Sequence, residues 1–584
     1  MFVRLYAFII ALSIGALSAA GEPIRVVSET GDAAIIAQVR EELAEADAPE
    51  TVFEARRQAR RAAERAEAYL NSRGYFAAQI SYAVEAGPPI QPTIKVEPGL
   101  LFRLSSIELD LGGDALANND EIRLQKVMTM TTGDLALPGM IVAQEAGLLA
   151  ALKSFGYGDA EVRGRDALGD RDAGTLDVTY RLRPGPRIRF GKVIYPEDTR
   201  VRRTYLQRLV PFEESALYAP DALSEFNRRL SATRTYSVSS ARLSAVPGHI
   251  TQEGDEVRDV IVTLVERPRY TLLAGASVST SEGPGVTSSL TRRNATRRGD
   301  TLTGSLTIAA QQRTLGVDWR IPNITAYNRS LALSADATRE ETDAFDREAL
   351  TLTGAFEFKH TPRLTTAFGV EGEFTREDDA LGQRDLQILS VSAGARLDRS
   401  DDPLDPTRGW RADLRAEPAL AVGDRESQFF TLNGQVSAYR PVIAERLVAA
   451  GRVRGGFVYG ANIEDLPVSR RFFAGGGGSA RGFAYQSVGP KDLSGDPIGG
   501  RGLLEFSGEL RWQGRGNLGY AAFVDGATVS ASEVPSFDDL RYSAGFGIRY
   551  KTVVGPIRFD IATPLNKQEG DDPVQIYVSL GQAF

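Results

Sequence analysis

From about Tyr270 to Phe584 the sequence breaks into short stretches in which apolar and polar residues alternate, separated by Asp, Asn, Gly and Pro. In Thr301–Ile308, Leu302, Gly304, Leu306 and Ile308 fall on one face and Thr301, Thr303, Ser305 and Thr307 on the other. Leu331–Ala337, Leu350–Phe358 and Thr365–Phe374 alternate in the same way. A period of two belongs to strands and excludes helices. Everything after Tyr270 is therefore one large all-β body. Alternation alone fits either a soluble sandwich or a barrel in a membrane. No segment after the first twenty residues reaches the ~18 consecutive apolar residues of a membrane helix, so a membrane crossing would have to use strands.

The final stretch separates these two. Val574, Ile576, Val578, Leu580 and Phe584 share one face, interrupted only by Gln582. An apolar alternation ending on an aromatic residue resembles the sorting signature of bacterial outer-membrane barrels. Residues 270–584 give room for about 16 strands at ~9–11 residues per tilted crossing plus connections. Closure leaves no free edge in hydrocarbon. A barrel of about 16 strands encloses a wide lumen that something can fill.

A filler is present in Arg470–Pro490, RRFFAGGGGSARGFAYQSVGP. Four glycines, Gly475–Gly478, suit backbone with positive φ or close packing. A loop that only spans solvent has no need of Phe472, Phe473, Phe483 and Tyr485. The expectation is a loop folded inward. An arginine inside a low-dielectric lumen needs carboxylates, because an unpaired buried charge costs several kcal/mol. Glu509 and Asp525 lie on the strands that follow, Glu505–Trp512 and Tyr520–Asp525, with Glu509 on the inward face. Phe523 shares the face of Asp525 and can stack under the guanidinium of Arg481. Glu505 fits less well as a third partner, and a solvated loop charge is the other reading of Arg481.

The chain before Tyr270 is built differently. Residues 1–20 read as a signal peptide: Arg4, an apolar Leu5–Leu17, and small residues at Ser18-Ala19-Ala20. A repeat follows. Tyr69–Phe76, Ala151–Tyr157 and, more weakly, Ala232–Tyr236 each close a helix and enter a strand. The first two copies carry a glycine fit for a left-handed helix cap, Gly74 and Gly156; the third has Thr235. Thr51 and Glu54 make a capping-box pattern before Ala59, Ala62, Ala66, Tyr69 and Leu70, and Ile35, Ile36, Val39 and Leu43 mark an earlier helix. The expected order is strand, helix, helix, strand, strand, three times. Expected domains are 21–99, 100–185, 186–268 and a barrel at 269–584. Such α+β modules suit peptide binding by strand addition, or serve as spacers.

Composition narrows the function classes. A net charge of −8 is no nucleic-acid footprint. With no cysteine, neither a disulfide framework nor a cysteine metal site is possible, and the two histidines, His249 and His360, are far apart in sequence. Gly477, Ser479 and Arg481 miss a nucleophile elbow because Arg481 stands where a glycine belongs. The acid pair Asp401-Asp402 reads as solvated. An enzyme is not expected.

Three motifs carry a family resemblance. Ala480-Arg481-Gly482-Phe483 looks like the [V/I]-R-G-[F/Y] motif in the sixth extracellular loop of the BamA/TamA superfamily. Phe523-Val524-Asp525-Gly526 resembles its F-x-D-x-G strand, and Pro406-Thr407-Arg408-Gly409 its P-T-x-G turn. The repeats resemble POTRA domains. Three of them, with the flanks Phe472–Gly476 and Gln486–Pro490, look most similar to the TamA branch. The resemblance implies α+β periplasmic POTRA repeats followed by an all-β transmembrane barrel in the bacterial outer membrane. It implies assembly or translocation of outer-membrane and autotransporter clients, with a TamB-like inner-membrane-anchored partner, the lipid bilayer, no nucleic acid and no cofactor. Arg481, Gly482 and Phe483 are the expected latch, with Glu509, Phe523 and Asp525 as partners. A weak seam would join the first strand, Tyr270–Ser279, to the last, Val574–Phe584, where Gly581 weakens pairing and Phe584 serves sorting. The alternatives are a passive pore and a general barrel insertase.

Overall fold

The computed structural model describes residues 24–580 apart from 31–32, 44–48, 86, 88–89, 118, 281–282, 444–445, 515 and 553–554. The expected signal peptide, Gly581 and Phe584 lie outside the described residues.

The first module runs β1 (Arg25–Val27), α1 (Ala33–Glu42), α2 (Val52–Ser72), β2 (Gln79–Glu85) and β3 (Gln91–Glu97). The second runs β4 (Arg103–Asp110), α3 (Asp120–Gln125), α4 (Pro138–Ser154), β5 (Glu161–Asp170) and β6 (Thr175–Arg183). The third runs β7 (Ile188–Ile194), α5 (Arg203–Gln207), α6 (Pro220–Ala232), β8 (Tyr236–Leu243), a short β9 (His249–Ile250) and β10 (Glu256–Glu266). The sheet orders are β1-β3-β2, β4-β6-β5 and β7-β10-β8. The last long strand of each module is central and runs parallel to the first.

Sequence periodicity accounts for these layers. Ile94 and Val96 of β3 point into the core, as do Leu176, Val178, Tyr180 and Leu182 of β6, each alternating with exposed or half-buried positions. α2 buries Ala55, Ala59, Ala62, Ala63, Ala66 and Leu70 on one stripe, small residues that let the helix lie close on the sheet. Thr51 starts this helix by accepting from Glu54 N at 3.2 Å. Its end is a left-handed turn at Gly74 (φ 91°), with Tyr75 N donating to Leu70 O at 3.0 Å. The second module repeats this at Gly156 (φ 102°), with Tyr157 N donating to Leu152 O at 3.1 Å. In the third copy the positive φ falls on Arg234 (55°), one residue before Thr235.

The barrel strands are β11 (Tyr270–Ser279), β12 (Gly283–Arg293), β13 (Thr301–Ala309), β14 (Gln312–Ile321), β15 (Arg329–Glu341), β16 (Phe345–Lys359), β17 (Leu364–Asp379) and β18 (Gly382–Asp398). They continue as β19 (Gly409–Gly423), β20 (Ser427–Ile443), β21 (Leu447–Tyr459), β22 (Gly502–Gln513), β23 (Leu518–Ser530), β24 (Arg541–Tyr550), β25 (Ile557–Pro564) and β26 (Gln575–Leu580). Each pairs antiparallel with its sequence neighbour, and β26 returns to β11, so the barrel is closed with 16 strands. The apolar half of each alternation faces outward: Leu306, Leu315, Leu350, Phe374 and Leu389 are all exposed. Their exposure on a closed barrel is what a hydrocarbon surround requires.

Strand ends near Tyr270 form the repeat side of the barrel. The turn there between β18 and β19 contains Asp401, which accepts from Thr407 N at 2.9 Å and Arg408 N at 3.1 Å. Burial works against its charge, but hydrogen bonds led by the Thr407 hydroxyl outweigh it and hold the carboxyl at about 2. Asp401 is exposed like Asp402, as expected of a solvated pair, and it also orders the Pro406–Gly409 turn. Part of the third module also belongs to the barrel unit. Tyr205 of α5 accepts from Asn323 Nδ2 at 3.2 Å, and Arg208 donates to Asn323 O at 3.0 Å.

A Cβ at Gly156 would meet Leu217 Cδ2 at 3.1 Å and would sit at a φ that side chains avoid. Gly156→Val should destabilise the second and third modules by about 1–3 kcal/mol. Urea unfolding followed by limited proteolysis measures this, and the heat-modifiability of the barrel on gels should not change.

Candidate functional site

The inward faces of five consecutive strands form one polar wall. β22 alternates Glu505, Ser507, Glu509 and Arg511 inward with Leu504, Phe506, Leu510 and Trp512 on the other face. β23 turns Phe523 and Asp525 inward, β24 Ser543 and Arg549, β25 Arg558 and Asp560, and β26 Tyr577, and all are buried. Register then sorts these into rows. Ser507, Asp525 and Ser543 stand side by side, and Glu509 lies next to Phe523.

The segment between β21 and β22 places Arg481 against this wall. Its side chain is almost fully enclosed. Nε and Nη2 fork onto Asp525 at 2.7 and 2.9 Å, and the Arg481 backbone N donates to the same carboxylate at 3.1 Å. Nη1 lies 3.5 Å from Asp560 and 3.9 Å from Glu509. The guanidinium stacks on Phe523, 3.4 Å from the ring centre. Bidentate pairing plus a stacking surface is what the planar guanidinium is suited to, and lysine is not. Glu509 is further held by Arg549 at 2.7 Å and Arg511 at 3.3 Å. Glu505 is not a partner of Arg481; it pairs with Arg454 at 3.2 Å and accepts from Ser479.

Sequence reasoning missed five members of this site. Asp560 is the third carboxylate, and Ser507 donates to Asp525 while receiving from Arg481 at 3.3 Å. Tyr577 on the last strand accepts from Gly482 N at 3.2 Å and donates to Phe483 O at 3.1 Å. Arg558 donates to Gly477 O at 3.0 Å, while Arg452 on β21 donates to Gly478 O at 3.2 Å and Ser479 O at 3.3 Å. The glycine tract thus exposes its carbonyls to arginines from two flanks. Close approach explains two of the glycines. A Cβ on Gly477 would meet the Tyr577 ring at 2.9 Å, and one on Gly482 (φ 100°) would meet Ser543 Cβ at 2.7 Å. Their inward polarity by strand alternation was the one available signal for Asp560 and Tyr577.

The same loop has a second anchor on another wall. Arg470 donates to Glu371 at 2.7 Å, Glu373 at 2.8 Å and Glu417 at 3.0 Å, on β17 and β19. Arg471 donates to Asp379 at 2.7 Å and to Ile498 O at 3.1 Å. Between the anchors Phe472, Ala474, Ala480, Phe483 and Val488 join one buried cluster with Phe429, Leu503 and Val529 of the barrel. The loop is a strap across the lumen, tied at both ends.

The seam differs from every other strand pair. Among the described residues, β11 meets β26 only at Val278↔Val578 and Ser279↔Tyr577. Thr280 extends the contact by one step, its N donating to Ile576 O at 3.0 Å. By contrast β11 pairs with β12 along its whole length, from Tyr270↔Arg292 to Ser279↔Gly283. Among the described residues, Ser579 and Leu580 are unpaired with β11. At the described positions, Ser277 and Ala276 of β11 are therefore left without a β26 partner. Tyr577 belongs to both features: it closes the seam and holds the loop.

A model of the Omp85 superfamily domain matches residues 294–584, which takes in every barrel strand from β13 onward. The barrel is similar to Omp85 superfamily domains. Outer membrane protein assembly factor BamA of Nitratidesulfovibrio vulgaris is 27% identical over 448 residues, covering 74% of this chain and 55% of that protein. BamA of Neisseria meningitidis serogroup B is 23% identical over 558 residues, covering 84% of this chain and 68% of that one. The chain thus spans about half the length of the first relative. The crystal structure of BamA from Haemophilus ducreyi lacking POTRA domains 1–3 superposes with a TM-score of 0.67 at 19% identity, covering 82% of this chain and 100% of that one. That likeness is one of fold: POTRA-like modules ahead of a 16-stranded barrel. The barrel lies in the bacterial outer membrane, with its POTRA-like region in the periplasm. The repeat side of the barrel is therefore periplasmic and the strap enters from the outer side.

Breaking a buried ion pair by removing one partner costs about 3–5 kcal/mol. Arg481→Ala and Asp525→Asn should each lower the temperature at which the folded band is lost on semi-native gels. The double variant should lose less than the sum, because the two act as a unit. Arg470→Ala combined with Arg481→Ala should be additive, since the anchors share no partner. Additive losses for Arg481 and Asp525 would show that they are independent.

Proposed function

We propose that this protein inserts or secretes other outer-membrane proteins by adding a client strand at the β11–β26 seam. The observation that carries this reading is that, among the described residues, the seam closes on two pairs where the neighbouring strands pair over most of their length. An open strand edge is a template for another strand. In hydrocarbon the unpaired donors and acceptors are costly, so the edge is primed to take a partner. Client folding and burial in the bilayer drive the process, and no nucleotide or other cofactor enters it. The strap keeps the lumen filled while the seam works. The POTRA-like modules receive unfolded clients in the periplasm, where β2 and β5 stand at the outer edges of their sheets.

In finer detail, the clients include autotransporters, and a TamB-like protein anchored in the inner membrane docks on the modules. Three modules and the flanks of the arginine motif support this TamA-like assignment. The name shared by the sequence relatives favours a second reading, a general barrel insertase. Affinity purification from native membranes separates the two: a large inner-membrane partner supports the first, and its absence with bound barrel-assembly subunits supports the second. A passive pore is the remaining alternative. It should give large, steady conductance in planar bilayers, whereas a strapped barrel should give small, erratic currents.

One step beyond Val278↔Val578 the register sets Ser277 opposite Ser579. The chain has no cysteine, so Ser277→Cys and Ser579→Cys can be introduced without background. Oxidation should abolish client assembly, reduction should restore it, and the barrel itself should stay folded. Full activity in verifiably cross-linked protein would rule out lateral opening. Gly581 is proposed to loosen the end of the last strand and Phe584 to direct sorting. Deleting Phe584 should leave signal cleavage intact while raising periplasmic degradation products, and an unchanged outer-membrane yield would refute the sorting role.

A further inference from the structure

The outward face of the barrel carries an arrangement that neither the strap nor the seam uses. Across β14 to β18 the register sets Arg313, Arg339, Glu348, Arg376 and Asp385 side by side in one row. One outward step toward the periplasm, roughly 7 Å along the strands, the row reads Leu315, Ala337, Leu350 and Phe374, continued by Leu306 on β13. Three further outward rows follow, rich in apolar residues from Val317 and Leu352 to Phe356 and Phe368. The charged row therefore marks the outer edge of the apolar band, at headgroup depth in the outer leaflet. Together the two rows line a trough of about 720 Å³. Its apolar row carries only a methyl group at Ala337, between Leu315 and Leu350.

The charges in this row are not balanced where they meet. Arg376 forks onto Asp385 at 2.8 and 3.0 Å. Arg339 is shared between Glu341 at 2.6 Å and Glu348 at 3.2 Å. Arg313 stands directly opposite Arg339 and has no ion-pair partner among the described residues. Like charges facing each other across a strand pair are destabilising, and an anion between them removes the penalty.

We propose that this trough binds a phosphorylated glycolipid of the outer leaflet, with a headgroup phosphate between Arg313 and Arg339 and an acyl chain along Leu315, Ala337, Leu350 and Phe374. A guanidinium fork matches phosphate oxygens, and basic clusters at headgroup depth recognise lipid headgroups. The position has a mechanical consequence. β17 is held from inside by Arg470 through Glu371 and Glu373. A lipid on the outside fixes the same wall in the leaflet, while the seam at β11 and β26 stays free to part.

The test is native mass spectrometry of the full chain in detergent, titrated with bis-phosphorylated lipid A, dephosphorylated lipid A or inorganic phosphate. The wild-type protein should retain bis-phosphorylated lipid A at least tenfold more tightly than the dephosphorylated form. Inorganic phosphate at the same concentration should not displace it. Arg313→Glu should weaken retention at least tenfold, and Ala337→Trp, which fills the trough and leaves the charge unchanged, should do the same. Equal retention of the two lipids by wild-type protein overturns the proposal whether or not the variants fold. Undiminished binding in Ala337→Trp, or displacement by inorganic phosphate, also overturns it.

Discussion

The fork of Arg481 on Asp525 is the interaction on which the interior of this barrel depends. A 16-stranded barrel is too wide for its own side chains to fill. Its wall here carries Glu509, Asp525 and Asp560, carboxylates that would be uncompensated without cations reaching in from the loop and the neighbouring strands. Arg481 brings a charge and Phe523 gives it an apolar seat. Arg549 and Arg511 complete the balance on Glu509. Removing a single partner leaves a buried charge, and that asymmetry makes the arrangement rigid.

Rigidity inside contrasts with looseness at the seam. The wall from β21 to β25 is continuously paired and tied to the strap, and β17 and β19 are tied to it through Arg470 and Arg471. Among the described residues, only where β26 meets β11 does pairing fall to two residues. Tyr577 stands at that point, bonded to the loop through its hydroxyl. A change at the seam therefore reaches the loop through one side chain, by contact and not by distance.

Much of this was readable from local pattern. Period-two alternation announced the barrel strands, because a strand's two faces meet different solvents. Gly74 and Gly156 announced the helix ends, because only glycine takes that backbone without strain. The glycines and aromatics around Arg481 announced an inward loop, and Asp525, Glu509 and Phe523 were identified as its surroundings. Asp401 is exposed as expected, but its hold on the turn was not legible, since it depends on Thr407 and Arg408 folding back over it.

What the sequence determined by itself was the face each side chain occupies, since that follows from a residue's own position in a strand. Which residues share a row was decided only by the tertiary structure, because register is a relation between strands far apart in the chain. Asp560 beside Arg481, Tyr577 beneath Gly482, and Glu371 and Glu417 around Arg470 all come from such relations. So does the shortness of the seam. Alternation in Tyr270–Ser279 and Gln575–Leu580 is as regular as in any other strand, and nothing within either segment says that Ser277 and Ala276 go unpaired opposite Ser579 and Leu580.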